Sequence, residues 1–332
     1  MDMPTSHIEN EKIAEMVNQL LKEKGARALE VAKRTILEKN FASHKIKQAI
    51  VYFSEYWQDL ARPALISICC EAVGGKSDLT TLVAASMTLI CGAMDIHDDI
   101  IDQSKTKMSR PTILGKFGKD VALLIGDELF FEGFLLLNRS CENIERKKSR
   151  KVYEVISNMF FEIGNAEALE LQLRNKMDIT PDEYLSLLNM KAADVEACAR
   201  IGAIIGDASE KEINALGKYG RTLGVIAILR DELADIAEYE ELSNRIKNEP
   251  LPFPIILALQ NPEVRPKMQS ILSKKKNRKQ DVERILEIIH CEGVDQWLVK
   301  LIEDMACKTK IFISGISNKQ NLELLIHGVA FL

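Results

Sequence analysis

Apolar residues recur at three- and four-residue steps from Ile8 onward, and nowhere do polar and apolar residues alternate long enough to build a sheet. That periodicity restricts the chain to packed helices. It marks segments at 9 to 24, 27 to 38, 44 to 57, 62 to 74, 78 to 102 and 113 to 138. It resumes at 149 to 176, 181 to 206, 209 to 238, 253 to 259, 263 to 272, 279 to 291 and 294 to 316. The breaks carry local punctuation. Gly74-Gly75 ends one helix, Ser77-Asp78 offers a cap for the next, and Ser109 to Thr112 interrupts the pattern again. Thr180-Pro181 followed by Asp182 and Glu183 supplies a cap, a first-turn proline and acidic charge near a helix start. With only 17 glycines and 9 prolines in 332 residues, no linker separates two halves. The expectation is one all-α domain over residues 1–332, a bundle of about a dozen helices, with residues 1–8 disordered.

Charge and composition exclude several functions. A net charge of -5 argues against nucleic acid as a partner, since phosphate backbones select basic surfaces. The basic runs ERKKSRK (145–151) and SKKKNRK (273–279) read as solvated helix connections. Apolar runs such as VALLIG before Asp127 look too short for a membrane span, so no stable membrane insertion is expected. The start, MDMPTSHIENEK, resembles neither a secretory signal nor a transit peptide, which suggests a cytoplasmic location. Seven cysteines without ligand spacing read as reduced core residues.

Two acidic segments carry the chemistry. DIHDDIID (95–102) sets Asp95, Asp98, Asp99 and Asp102 at steps of three and four, on one helix face. LRDELAD (229–235) does the same with Asp231, Glu232 and Asp235. Like charges at this spacing destabilise a helix, and near a C-terminus the helix dipole also disfavours anions. A shared cation would offset both penalties, and carboxylate oxygens suit Mg²⁺.

With these motifs the chain resembles the trans-prenyl diphosphate synthases, the polyprenyl synthetase family of class I isoprenoid enzymes. DDIID matches the family's first DDxxD motif, with His97 before it, and DELAD stands for the second, with Glu232 in its second position. Agreement continues through Ser104, Pro111-Thr112, Phe117-Gly118, Gly126-Asp127, EALELQLRN (167–175), EYLSLL and ARIGAIIG (199–206). The resemblance implies a central cavity whose mouth is flanked by the two motifs. Asp98, Asp99, Asp102, Asp231, Glu232 and Asp235 would be metal ligands, for about three Mg²⁺ ions that clamp the departing diphosphate of an allylic substrate. Asp98, Asp99, Asp102, Asp231 and Lys191 would be the catalytic set. Lys107, Lys191 and Lys247 would bind the substrate, together with Arg62; for Lys191, an alternative register puts Met190 in its place. A homodimer is also implied.

The pattern breaks where chain-elongating members hold isopentenyl diphosphate. QDLARP keeps Arg62 but puts Asp59 at the family's lysine and Leu60 at its first arginine. Cys91 takes the histidine's place, and Met108 replaces the second arginine of the RRG motif, with Arg110 nearby. Asp95 is acidic where the family is apolar, and Ala227-Ile228 replaces the usual FQ. Each charge-assisted hydrogen bond lost weakens an anion by about 1.5–3 kcal/mol. The expectation is therefore a Mg²⁺-dependent enzyme that ionises an allylic prenyl diphosphate, a prenyltransferase of uncertain acceptor. A terpene synthase needing no isopentenyl diphosphate is the alternative, and a non-catalytic subunit of a heteromeric synthase a third.

Overall fold

The computed structural model describes residues 4–107, 109–274 and 278–331. Its helices are α1 (Pro4–Leu37), α2 (His44–Tyr56), α3 (Ala61–Ala72), α4 (Thr81–Ile101), α5 (Ile113–Phe117), α6 (Lys119–Cys141), α7 (Arg146–Leu173) and α8 (Pro181–Lys191). They continue as α9 (Ala193–Ile205), α10 (Glu210–Asp235), α11 (Tyr239–Asn248), α12 (Phe253–Ala258), α13 (Arg265–Leu272), α14 (Lys279–Cys291), α15 (Val294–Phe312) and α16 (Gln320–Phe331). The all-α expectation holds. The exception is a two-pair antiparallel ladder of β1 (Thr106–Lys107) and β2 (Arg110–Pro111), with Lys107 opposite Arg110. Met108 lies outside the described residues.

α4 forms the centre of the bundle, packed along α6 and against α1 and α3; α9 lies between α3, α7 and α10. Val83 to Ala93 of α4 are all buried. Burying each large apolar side chain contributes about 1.5–3 kcal/mol, so this helix is held along its whole upstream length. The segment Ser77–Ile101 is, against expectation, long and apolar enough to cross a membrane, but 72% of its most apolar window is enclosed by the bundle. Enclosure of that kind is also what a core helix shows. On α6, Gly126 admits α4 closely: a Cβ there would sit 2.3 Å from His97 Nε2.

Several boundaries differ from the sequence reading for local reasons. α1 is unbroken from Pro4, through residues expected to be disordered and through the expected break at Gly25, where a Cβ would meet the Leu60 carbonyl at 2.5 Å. Ser77 belongs to a 3₁₀ turn rather than capping α4. The expected helices at 113–138 and 181–206 are each divided, at Gly118 (φ 90°) and at Ala192. The basic run at 145–151 opens α7 instead of connecting helices; Lys148 pairs with Asp207 at 2.6 Å, and Lys151 pairs with Glu210. Of the second run, residues 275–277 lie outside the described residues. All seven cysteines are free; Cys291 and Cys307 are on the surface rather than in the core. The box at Thr180 forms as expected, with Thr180 and Glu183 exchanging side-chain and backbone hydrogen bonds.

Candidate active site

The first acidic cluster ends α4, with Asp102 as its C-cap residue. Lys107 Nζ lies 2.8 Å from Asp99 Oδ1 and 3.9 Å from Asp98 Oδ2. Arg174 Nη2 donates to Asp102 Oδ1 at 2.9 Å and to the Ile101 carbonyl at 3.0 Å. These contacts only partly relieve the crowding. Burial, opposed by Lys107, raises the Asp99 carboxyl to about 6. Asp102 is also pushed up, by burial and then by Asp98, Glu249 and Glu170. Asp98 Oδ1 is buried with no hydrogen-bond partner.

The second cluster ends α10. Asp231 is exposed, and Asp235 accepts from Arg245 Nη2 at 2.7 Å. Arg245 comes from α11, a helix the apolar periodicity did not mark. Two residues on α11 connect the clusters: Arg245 meets the second, and Asn244 Nδ2 donates at 3.3 Å to Ser104 Oγ, just past the first. Glu249 completes this wall, 3.8 Å from Arg245 Nε, with its carboxyl raised by burial to about 7.

Between the clusters stand Glu167 and Glu170 of α7 and Lys191 of α8. Lys191 Nζ donates to Glu170 Oε2 at 2.5 Å and lies 3.5 Å from Glu167 Oε1. Burial alone would lower this ammonium; Glu170, Asp98 and Glu167 more than reverse it and hold it above its ordinary value. Glu167 is raised, chiefly by burial, and its Oε2 is buried without a partner.

Three expected site residues stand elsewhere. Glu232, expected as a metal ligand, is 1% exposed, and Tyr184 Oη (2.5 Å) and the Phe253 backbone N–H (2.8 Å) donate to its two oxygens. Those bonds supply the donors that make burying a carboxylate tolerable, so Glu232 fastens α10 to α8 and α12. Lys247 projects from the opposite side of α11 from Arg245 and lines a separate pocket of about 590 Å³ with Lys176 and Lys274. Arg62 is saturated by carboxylates. Its Nη1 and Nη2 grip Asp95 at 3.0 and 3.1 Å, Nε meets Asp194 at 2.9 Å, and Nη1 also meets Asp59 at 3.1 Å. These three more than offset burial and hold the guanidinium well above its ordinary value. Cys91, beneath them, is fully buried and its thiol is raised by that burial.

Sequence reasoning missed Arg174, Arg245, Glu167, Glu170, Glu249 and Tyr184. A signal existed for some: Glu167, Glu170 and Arg174 stand at steps of three and four inside EALELQLRN. Arg245 and Glu249 share the same spacing.

The geometry meets a sequence match. The Polyprenyl synthetase profile covers residues 43–289, well over half the chain. The chain belongs to the polyprenyl synthetase family. A short chain isoprenyl diphosphate synthase of Methanothermobacter thermautotrophicus is 33% identical over 181 residues, 54% of this chain and 55% of that protein. The aligned part thus spans about half the length of that relative. A geranylgeranyl diphosphate synthase of Saccharolobus solfataricus is 27% identical over 268 residues, covering 78% of this chain and 80% of its own. Among solved structures, a geranylgeranyl pyrophosphate synthetase from Pyrococcus horikoshii superposes with a TM-score of 0.85 at 26% identity, covering 96% of this chain and 99% of that one.

The oxygens at the two clusters suit a hard cation such as Mg²⁺, and the orphaned Asp98 Oδ1 is an acceptor such an ion would satisfy. Among the described residues, no three His, Cys, Asp or Glu side chains are already gathered into a cage. That is compatible with Mg²⁺, which keeps waters and takes one or two carboxylates together with substrate phosphates.

Proposed function

We propose that the chain is a Mg²⁺-dependent prenyltransferase that binds and ionises an allylic prenyl diphosphate. The observation that carries this reading is the buried, unpartnered Asp98 Oδ1 beside two other first-cluster carboxylates, Asp99 and Asp102, with α11 joining this cluster to Asp231 and Asp235. Asp98, Asp99, Asp102, Asp231 and Asp235 would hold the ions. When bound, Mg²⁺ neutralises the departing diphosphate oxygens and so lowers the barrier to ionisation. Lys107 and Lys191 are the diphosphate's cationic contacts: each is now held by chain carboxylates, and each can exchange that partner for a phosphate oxygen. Arg174 and Arg245 hold Asp102 and Asp235 in place, a positioning role.

The acceptor is less constrained. Saturation of Arg62 favours, as a second reading, a terpene synthase that completes the reaction without isopentenyl diphosphate. We assign a homodimer through α6 and α7, because Leu124, Phe131 and Phe161 stand 58%, 66% and 75% exposed there. Phe161→Asp should halve the particle mass by sedimentation; an unchanged mass would remove this interface. The enclosure of α4 in the bundle favours a protein without stable membrane insertion.

The test is turnover of C5, C10, C15 and C20 allylic diphosphates with Mg²⁺, with and without isopentenyl diphosphate. Diphosphate release that stops with EDTA is expected. Longer diphosphates formed only with isopentenyl diphosphate would exclude the terpene synthase reading, whereas hydrocarbons or alcohols from the allylic substrate alone would exclude elongation. No release under any condition would overturn both.

A further inference from the structure

The site between the acidic clusters leaves the second basic run, SKKKNRK (273–279), without a role in a chain whose net charge is -5. The first lysine of that run, Lys274, lines the cavity of about 590 Å³ behind α11, a size suited to one small molecule. Two other segments bring lysines to the same place. Asn175, left-handed at φ 61°, turns the chain off the end of α7 and sets Lys176 and Met177 on the cavity wall. On α11, Tyr239, Ser243, Ile246 and Lys247 follow at steps of four, three and one, so a single helix face supplies another wall.

The charged residues of this lining are all of one sign. Lys176, Lys247 and Lys274 line the cavity, and no described lining residue is acidic. Lys274 pairs with Asp281, which lies outside the lining. Lys176 and Lys247 are exposed, and neither forms an ion pair with a described carboxylate. The Glu183 carboxyl, lowered first by its bonds to Thr180 and last by Lys176, is committed to the box that opens α8. An anion entering here therefore meets two cations that have no partner to give up, unlike one approaching Lys107 or Lys191.

Much of the remaining lining is aliphatic. Leu251 and Leu272 are buried, and Met177 and Ile246 pack half-buried against the core. Tyr239 is the one ring among the described lining residues. Side chains of this kind suit a flexible hydrocarbon chain, whose contact adds affinity in proportion to the apolar area covered.

We propose that this cavity is a second binding site, separate from the one that ionises the allylic substrate, for a phosphate or diphosphate ester of a single aliphatic chain. Lys176 and Lys247 take the phosphate oxygens as point charges. The aliphatic side chains take the hydrocarbon. Because lysines rather than carboxylate-bound Mg²⁺ supply the positive charge, this site fills when metal is withheld. It goes beyond the ionising activity and stands whether or not the chain turns over an allylic diphosphate.

Geranyl monophosphate is the probe. Calorimetric titration of the full chain in EDTA should show one site. Lys176→Glu combined with Lys247→Glu, both at exposed positions, should weaken binding about tenfold or more, as loss of one charge-assisted hydrogen bond does. Asp98→Ala should leave the Kd unchanged. Inorganic phosphate, which lacks the chain, should bind about tenfold or more weakly than the probe. Phosphatidate vesicles, which present the same head on two long chains, should not sediment the protein. No binding in EDTA, or binding that the double variant leaves unchanged, overturns the site. A Kd that shifts with Asp98→Ala puts the probe at the acidic clusters and overturns it too. Equal affinity for inorganic phosphate, or vesicle sedimentation that the double variant abolishes, overturns the single-chain ligand.

Discussion

The two sides of Asp99 solve the same electrostatic problem in opposite ways. Toward α10 and α11, Asp98 Oδ1 lacks a partner and the Asp99 and Glu249 carboxyls are raised to about 6 and 7. Toward α2 and α3, Arg62 closes a compact network with Asp59, Asp95 and Asp194. The first region stores unfavourable charge that a cation would relieve; the second has spent its arginine on structure. A chain can therefore keep the site that starts a reaction while rebuilding the one that receives its product.

The sharpest way to break this contrast is Arg62→Ala, which strands three carboxylates together. Removing one partner from such a part-buried network should cost about 3–5 kcal/mol of stability, read as a lower urea midpoint. If stability is unchanged and only acceptor affinity falls, Arg62 is a ligand contact and the two regions are alike. Next comes Asp98→Ala, expected to lower Mg²⁺-dependent diphosphate release by about 100- to 1000-fold, as loss of one key electrostatic group does elsewhere. The metal-free fold should melt no lower than wild type. Glu232→Gln should cost about 1–3 kcal/mol of stability, with a Mg²⁺ concentration dependence like that of wild type; a large rise in the Mg²⁺ requirement would restore Glu232 as a ligand.

The smallest effect is on pH dependence. A carboxyl whose folded pKa lies above its unfolded value penalises the fold, and that penalty is absent below the unfolded value near 4. It grows as pH rises toward the folded value and is complete above it. Metal-free protein should therefore melt higher at pH 5 than at pH 8 through Asp99 and Glu249. Glu249→Gln should reduce the difference, and a pH slope of the opposite sign would contradict the stored charge.

Much of the charged region was legible because it is local. Asp98, Asp99 and Asp102 share a helix face by spacing alone, and the same rule places Asp231 and Asp235. Lys107 follows from its place after the first motif. The network around Arg62 was not legible because two of its three carboxylates lie 33 and 132 residues away, and no spacing rule pairs it with Asp95 or Asp194. The partners of Glu232 were not legible because an acidic motif does not reveal which side chain turns inward; Tyr184 and Phe253 hold it there. α11 was overlooked because its apolar positions are few and charge dominates it. The helical class and most segments survived, since a 3.6-residue period is a property of short windows whereas docking partners are not.

Gly126 gives the molecule a particular mutational landscape. The imidazole of His97 fills the space a side chain there would need, and His97 immediately precedes Asp98. Any larger residue at 126 must displace the ring of the residue that precedes the acidic end of α4. Neutral drift on α6 is consequently filtered by turnover before it is filtered by folding. A library randomised at this position should yield many stable proteins and few active ones.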